Sequence, residues 1–219
     1  MKILAIDTTF GACSVAVRDG AVLLAHCFER MDRGHAEALA PMVEQTMKQS
    51  GLAFAELDRL GVTTGPGTFT GQRVGLAFMR GLRLALKRPL IGMTSLRAMG
   101  EQARSLAGCM IAATIQDARR EEFYFEIVAD EIGAPKILTL PDALSEVAKL
   151  ASGKTVALAG TAREKAHLAA GAMGLKTQLT EIVAPDADWV ARLCADVAES
   201  AEVPKALYLR EPDAKRPLP

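Results

Sequence analysis

The 219-residue sequence has no surplus of either charge: 26 Lys and Arg stand against 26 Asp and Glu. A protein that grips nucleic acid unaided usually carries a basic excess, so any RNA contact is expected to be local or made through a partner. There is no CxxC and no Cys/His cluster. Cys13, Cys27, Cys109 and Cys194 are scattered, which excludes a zinc site or disulfide framework read from spacing and suits buried thiols in a reducing compartment. No run of 18 or more uncharged apolar residues is present, so no membrane span is expected. Met1 leads straight into a strand-like run without a signal-peptide pattern. Together these absences predict a cytoplasmic protein with no membrane contact.

Catalytic side chains are equally scarce. The three histidines are His26, His35 and His167. A metal pair on a helix needs ligands at i and i+4; four residues after His35 stands Leu39. His35 and Glu37 are two apart and do not share a helical face. No Ser/His/Asp or Cys/His arrangement is supported by spacing. Asp7 and Asp117, each ending a strand-like run, offer two carboxylates for a hydrated magnesium, but no Lys or catalytic base accompanies them. No bound metal and no catalytic residue is expected.

What is present is ample apolar material, 50% of the chain, in a length natural for two small domains. We expect an α/β protein with an N-terminal lobe over 1–107 and a C-terminal lobe over 108–219, the latter ending in a tail with four prolines. The first half reads as three meandering strands, with Asp19-Gly20 as a hairpin turn. A helix over 35–50 follows, starting or kinking near Pro41. A fourth strand, a glycine-rich turn, a helix over 71–86, a fifth strand and a helix over 94–106 complete it. That βββαβαβα order is the ribonuclease-H-like arrangement. The second half reads similarly, with a last helix over 186–201. Each half opens with a strand that ends in Asp, a turn and an alternating strand, as in a weak internal repeat whose paired acidic turns would face one cleft.

The chain is organised around Gly65-Pro66-Gly67-Thr68-Phe69-Thr70-Gly71. Strand, glycine-rich turn and helix can aim amides at an anion or bring the backbone close to a neighbour. A Walker A loop needs Lys and Ser or Thr after the last glycine; Gln72 and Arg73 follow here. Spacing G-x-G-x-x-G fails because position 70 is Thr70. The simplest reading is a tight turn with Thr70 as helix N-cap. The helix that follows is more informative. Arg73, Arg80, Arg83 and Lys87 form one narrow stripe and the rest is apolar, wider than the single apolar face of a surface helix. It should therefore be covered on two sides, one by its own sheet and the other by a second domain or another chain. Gly75 and Gly81 would permit close approach, and Met42, Met47 and Met79 suit an adaptable contact.

These features carry a resemblance to the TsaB (YeaZ) family of bacterial tRNA threonylcarbamoyladenosine biosynthesis. The matching residues are Ile6-Asp7-Thr8-Thr9, His35-x-Glu37-x-Leu39-x-Pro41, Gly65 to Gly71 with Arg73-x-Gly75, Thr94-Ser95-Leu96, Asp117-Ala118-Arg119, and Pro204 to Tyr208 with Arg210. The resemblance implies two ribonuclease-H-like lobes of the actin, sugar kinase and Hsp70 type. It implies a degenerate paralogue of the catalytic subunit TsaD, whose metal-binding His-x-x-x-His is broken here at Leu39. It further implies a non-catalytic partner that forms homodimers and binds TsaD through one helical face, with the ATPase TsaE, while tRNA is met only through the complex. Partner-binding residues are expected among Leu39, Met42, Val43, Val74, Gly75, Phe78, Met79 and Leu82. A vestigial nucleotide site would involve Asp7, Thr8, Gly65, Gly67, Thr68, Gly71 and Asp117, leaving residual ATP or ADP binding open. The rival readings are an actin-like ATPase or small-molecule kinase using Asp7 and the 65–71 turn, and a metallopeptidase, which the missing His pair disfavours.

Overall fold

The structure is a computed structural model that describes residues 1–130, 132–199 and 202–210. Strands β1 (Lys2–Asp7), β2 (Ala12–Asp19) and β3 (Val22–Arg30) form an antiparallel meander. Strands β4 (Arg59–Gly65) and β5 (Leu90–Thr94) join it in parallel, giving the order β3-β2-β1-β4-β5. The second half repeats this plan. Strands β6 (Ile111–Asp117), β7 (Phe123–Val128) and β8 (Lys136–Leu138) are antiparallel; β9 (Val156–Ala159) and β10 (Thr177–Leu179) add in parallel, in the order β10-β9-β6-β7-β8. Each half therefore has the ribonuclease-H-like strand order, and the chain is an α/β protein with two such lobes.

The sheets are covered on both faces, which is why β1 reads as a continuous apolar run. Alternation divides its side chains. Leu4 and Ile6 pack under α1 (His35–Ser50) and α2 (Phe69–Leu86), with Leu39, Val43, Leu76 and Met79. Ile3 and Ala5 face α6 (Ala187–Asp196), with Val190, Ala191 and Cys194. In the second sheet, Ile115, Phe125 and Leu158 pack under α4 (Leu140–Ala151) and α5 (Arg163–Ala172), while Ala112, Ala157 and Ala159 meet Leu96 and Met99 of α3 (Ser95–Ala107). The two inner helices are thus exchanged: α3 of the first half lies on the second sheet, and α6 of the second half lies on the first.

Several element boundaries differ from the sequence reading. Helix α2 begins at Phe69, with Thr68 and not Thr70 as N-cap, because the Thr68 hydroxyl stands where it accepts the Gly71 amide. Helix α1 keeps the expected bounds, His35–Ser50, but does not start near Pro41: it runs through that residue, anchored by buried Leu39, Met42, Val43 and Met47. The expected last helix over 186–201 ends at Asp196; positions 200 and 201 lie outside the described residues, as does the tail from Glu211. Strand β10 is a short polar edge that carries no apolar signal in the sequence. No helix among the described residues is long and apolar enough to cross a membrane.

The end of α6 is set by Arg59. Its buried guanidinium donates to the carbonyls of Cys194 (2.7 Å), Ala195 (3.2 Å) and Val197 (2.8 Å), replacing the intrahelical donors those groups lack. Arg59→Ala is expected to cost about 2 kcal/mol, since it leaves buried acceptors unpaired. Urea unfolding would show it as a lower midpoint at unchanged slope.

Candidate functional site

The first place to look for chemistry is the junction of β1 with the glycine-rich turn. Asp7 is fully buried there. Its Oδ1 accepts from the Thr63 hydroxyl (2.5 Å), the Thr9 hydroxyl (2.6 Å) and the Thr9 amide (3.2 Å). Its Oδ2 is buried without a partner. Burial pushes its carboxyl up to about 6, against the opposing pull of the Thr63 and Thr9 hydrogen bonds.

The turn itself closes onto this strand end. The Thr68 amide donates to the Thr9 carbonyl (2.7 Å), and the Thr8 hydroxyl donates to the Gly71 carbonyl (2.7 Å). A Cβ at Gly67 would lie 2.4 Å from the Thr9 carbonyl oxygen, and one at Gly71 would lie 2.0 Å from that of Thr8. The side chain of Gln72 folds under Gly65, with Nε2 donating to the Gly67 carbonyl (3.1 Å). The glycines therefore bring two backbones together. Beside Gly67 and Gly71 the space is taken by the Thr9 and Thr8 carbonyls, and the Thr68 amide is spent on Thr9.

The two aspartates of the repeat serve different ends. Asp117 is exposed and its Oδ1 accepts the Arg119 amide (2.7 Å), shaping the β6–β7 turn. Between the lobes lies a cleft of about 340 Å³ lined by Gly11, Arg30, Asp32, Gln116, Thr161 and Val183, among others. None of Asp7, Gly65 to Gly71 or Asp117 lines it. His35 is buried and its Nε2 pairs with the Phe10 carbonyl (2.9 Å), tying α1 to the β1–β2 turn. Leu39 is in the core.

The residues expected to meet a partner separate into two groups. Leu39, Met42, Val43, Gly75 and Met79 are enclosed in the chain's own core, while Val74, Phe78 and Leu82 are half-buried. What the hydrophobic reading missed is the outward ridge of α2. At about 100° per residue, Thr70, Ala77, Gly81 and Leu84 lie opposite Met79, and all four are exposed, Leu84 to 72%. Nothing lies within 4 Å of the position a Gly81 side chain would take. On one flank, Val74, Phe78 and Leu82 pack with the α1 residues of the core. On the other, the tail runs past Arg73 and Arg80. A helical wheel of α2 carries the signal for this ridge; hydrophobicity alone does not, because it selects core residues just as readily.

The family profile described as TsaD, tRNA N6-adenosine threonylcarbamoyltransferase, matches residues 28–217. The tRNA threonylcarbamoyladenosine biosynthesis protein TsaB of Escherichia coli is 32% identical over 230 aligned positions, covering 100% of this chain and 99% of that protein. A solved structure from Pseudomonas aeruginosa, an uncharacterized protein with similarity to the peptidase YEAZ, superposes with a TM-score of 0.79 at 27% identity over 95% of this chain and 99% of that one. Component A of (R)-2-hydroxyglutaryl-CoA dehydratase from Acidaminococcus fermentans shares the fold alone, with a TM-score of 0.52 at 10% identity over 88% of this chain and 97% of that one. The two-lobed architecture and the full-length similarity agree, and the chain belongs to the family of TsaB (YeaZ) proteins.

Proposed function

We propose that this chain is a non-catalytic scaffold subunit of the assembly that forms threonylcarbamoyladenosine beside the anticodon of tRNAs reading codons that begin with A. Its partners are a TsaD-type catalytic subunit, a TsaE-type ATPase and a second copy of itself; tRNA is met through the complex. The name of the Escherichia coli relative supports the pathway. The observation that carries the scaffold role is the α2 ridge of Ala77, Gly81 and Leu84, an apolar helix face left open and flanked by half-buried Val74, Phe78 and Leu82. The small residues allow a partner helix to approach closely, and the apolar flank supplies area to bury. The turn at residues 65–71, packed against Thr8 and Thr9, supports this reading over an ATPase or kinase working at that turn.

Gly81→Arg is expected to remove self-association and binding to the TsaD-type subunit together. It places a long charge in open solvent in the free chain but buries it in the complex, where an unpaired charge costs several kcal/mol. Size-exclusion with light scattering, on the chain alone and mixed with the catalytic subunit, reads the result: wild type as dimer and one-to-one complex, the variant as a monomer with unchanged circular dichroism. A variant of unchanged mass in both mixtures rules the ridge out as the contact.

A further inference from the structure

The segment after α6 crosses from one lobe to the other within a few residues, and the α2 ridge lies beside its path. Pro204 sits against the side-chain-free face of Gly92 on β5, and its carbonyl accepts from Arg80 (2.5 Å). Ala206 packs on the core beneath α1 and α2, and the Leu207 amide donates to the Thr64 carbonyl at the end of β4 (2.8 Å). The Tyr208 hydroxyl accepts from Arg73 Nε (2.9 Å), its ring lies 5.6 Å from that of Phe69, and the Arg73 guanidinium lies 3.6 Å above Phe69. Two residues later the chain is on the second lobe: Arg210 donates to the Ala118 carbonyl (2.8 Å) and pairs with the Glu122 carboxylate.

The turn that Arg210 grips is strained. Arg119, Arg120 and Glu121 all have left-handed backbones, with φ of 66°, 58° and 58°. That conformation costs a non-glycine residue about 1 kcal/mol or more, and persists where the surroundings over-determine it. Here the Ala118 amide donates to the Glu122 carbonyl (2.9 Å), the Glu122 amide to the Arg119 carbonyl (3.1 Å) and the Arg119 amide to Asp117 (2.7 Å). Arg210 adds two more contacts to the same turn. The other end of the strap meets α2 beside its open face: by the helical step Arg73 is next to Leu84 and Ala77, and Phe69 and Tyr208 are 49% and 43% exposed there.

We propose that residues 203–210 are a strap that couples partner docking on α2 to the β6–β7 turn of the second lobe. A partner seated on the ridge covers Phe69, Arg73 and Tyr208, holds the strap down, and through Arg210 holds the strained turn. Conversely, a turn freed from Arg210 loosens the strap and weakens docking, since coupling between two sites is reciprocal. This inference rests on the scaffold reading above.

The test uses the full chain and two variants at opposite ends of the strap. Tyr208→Ala touches only the first lobe and should speed amide exchange at Ala118 and Glu122, on the second, about tenfold. Arg210→Ala makes no contact with α2 and should weaken self-association about tenfold by sedimentation equilibrium. Exchange at Ala118 and Glu122 in the Tyr208→Ala chain equal to wild type overturns the coupling, and so does an Arg210→Ala chain that associates as tightly as wild type. A wild-type chain that associates neither with itself nor with the catalytic subunit overturns the scaffold reading and the inference with it; association with an unmoved turn overturns the inference alone.

Discussion

Gly71→Ala is expected to destabilise the chain by at least about 3 kcal/mol, a large part of the stability of an ordinary domain. The added Cβ would lie 2.0 Å from the Thr8 carbonyl oxygen and 2.7 Å from the Thr68 hydroxyl. The first is backbone and has no rotamer to escape into. The second is the N-cap of α2, whose bond to the Gly71 amide would break if it moved. Relief requires α2 to retreat from β1, opening the layer where Ile6, Leu76 and Met79 meet. Gly81→Ala is the control: the same helix, the same added methyl, nothing within 4 Å. It should raise stability by up to about 1 kcal/mol through helix propensity. Urea midpoints of the two variants measure the contrast. Equal midpoints would show that α2 does not pack against the Thr8 backbone as described.

Glu126→Gln is expected to raise stability by about 3 kcal/mol at pH 8 and by almost nothing at pH 4. Glu126 lies on β7 facing the first lobe, 1% exposed, and accepts from the Thr94 hydroxyl that caps α3 (2.6 Å). Burial pushes its carboxyl from 4.5 to about 7, with the Thr94 hydrogen bond and the Arg97 charge pulling the other way. The folded chain therefore holds this proton more tightly than the unfolded chain does. Below pH 4.5 both states are protonated and the burial carries no penalty. As pH rises from 4.5 to about 7 the unfolded chain loses its proton first, and stability falls. Above that range the penalty is complete, and each tenfold difference in proton affinity between the folded and unfolded chain is worth about 1.4 kcal/mol. Glutamine keeps the shape and an acceptor for Thr94 without the charge. Thermal melts of both chains across this range should converge in acid and diverge above neutrality; parallel curves would place Glu126 in contact with water.

Strands β1 to β9, the existence of α1 to α6 and the break in the metal motif at Leu39 were legible in the residues, because period, caps and spacing are local properties. The site was legible only in outline. The 65–71 stretch announces a strand, a turn and a helix, but whether its amides face an anion or a neighbouring carbonyl depends on Thr8 and Thr9, over 50 positions earlier in the chain. Phe78 and Met79 are adjacent and equally apolar, yet one is half-exposed and the other fully enclosed. Arg59 and Glu126 gave no signal at all: each matters through a partner far along the chain, Cys194 in one case and Thr94 in the other.

By itself the sequence determined that the chain is an α/β protein built as two similar halves, and that a metal pair and a Walker loop are missing from it. Those conclusions need only neighbours within a few residues. Tertiary structure alone decided that α3 and α6 are exchanged between the sheets, that the glycine turn closes on the first strand, and which face of α2 stays exposed. Each is a question of which distant surface an apolar element buries, and hydrophobic burial has no direction of its own. The directions come from close packing: a carbonyl oxygen 2.0 Å from where a methyl would stand at Gly71, and open space at Gly81.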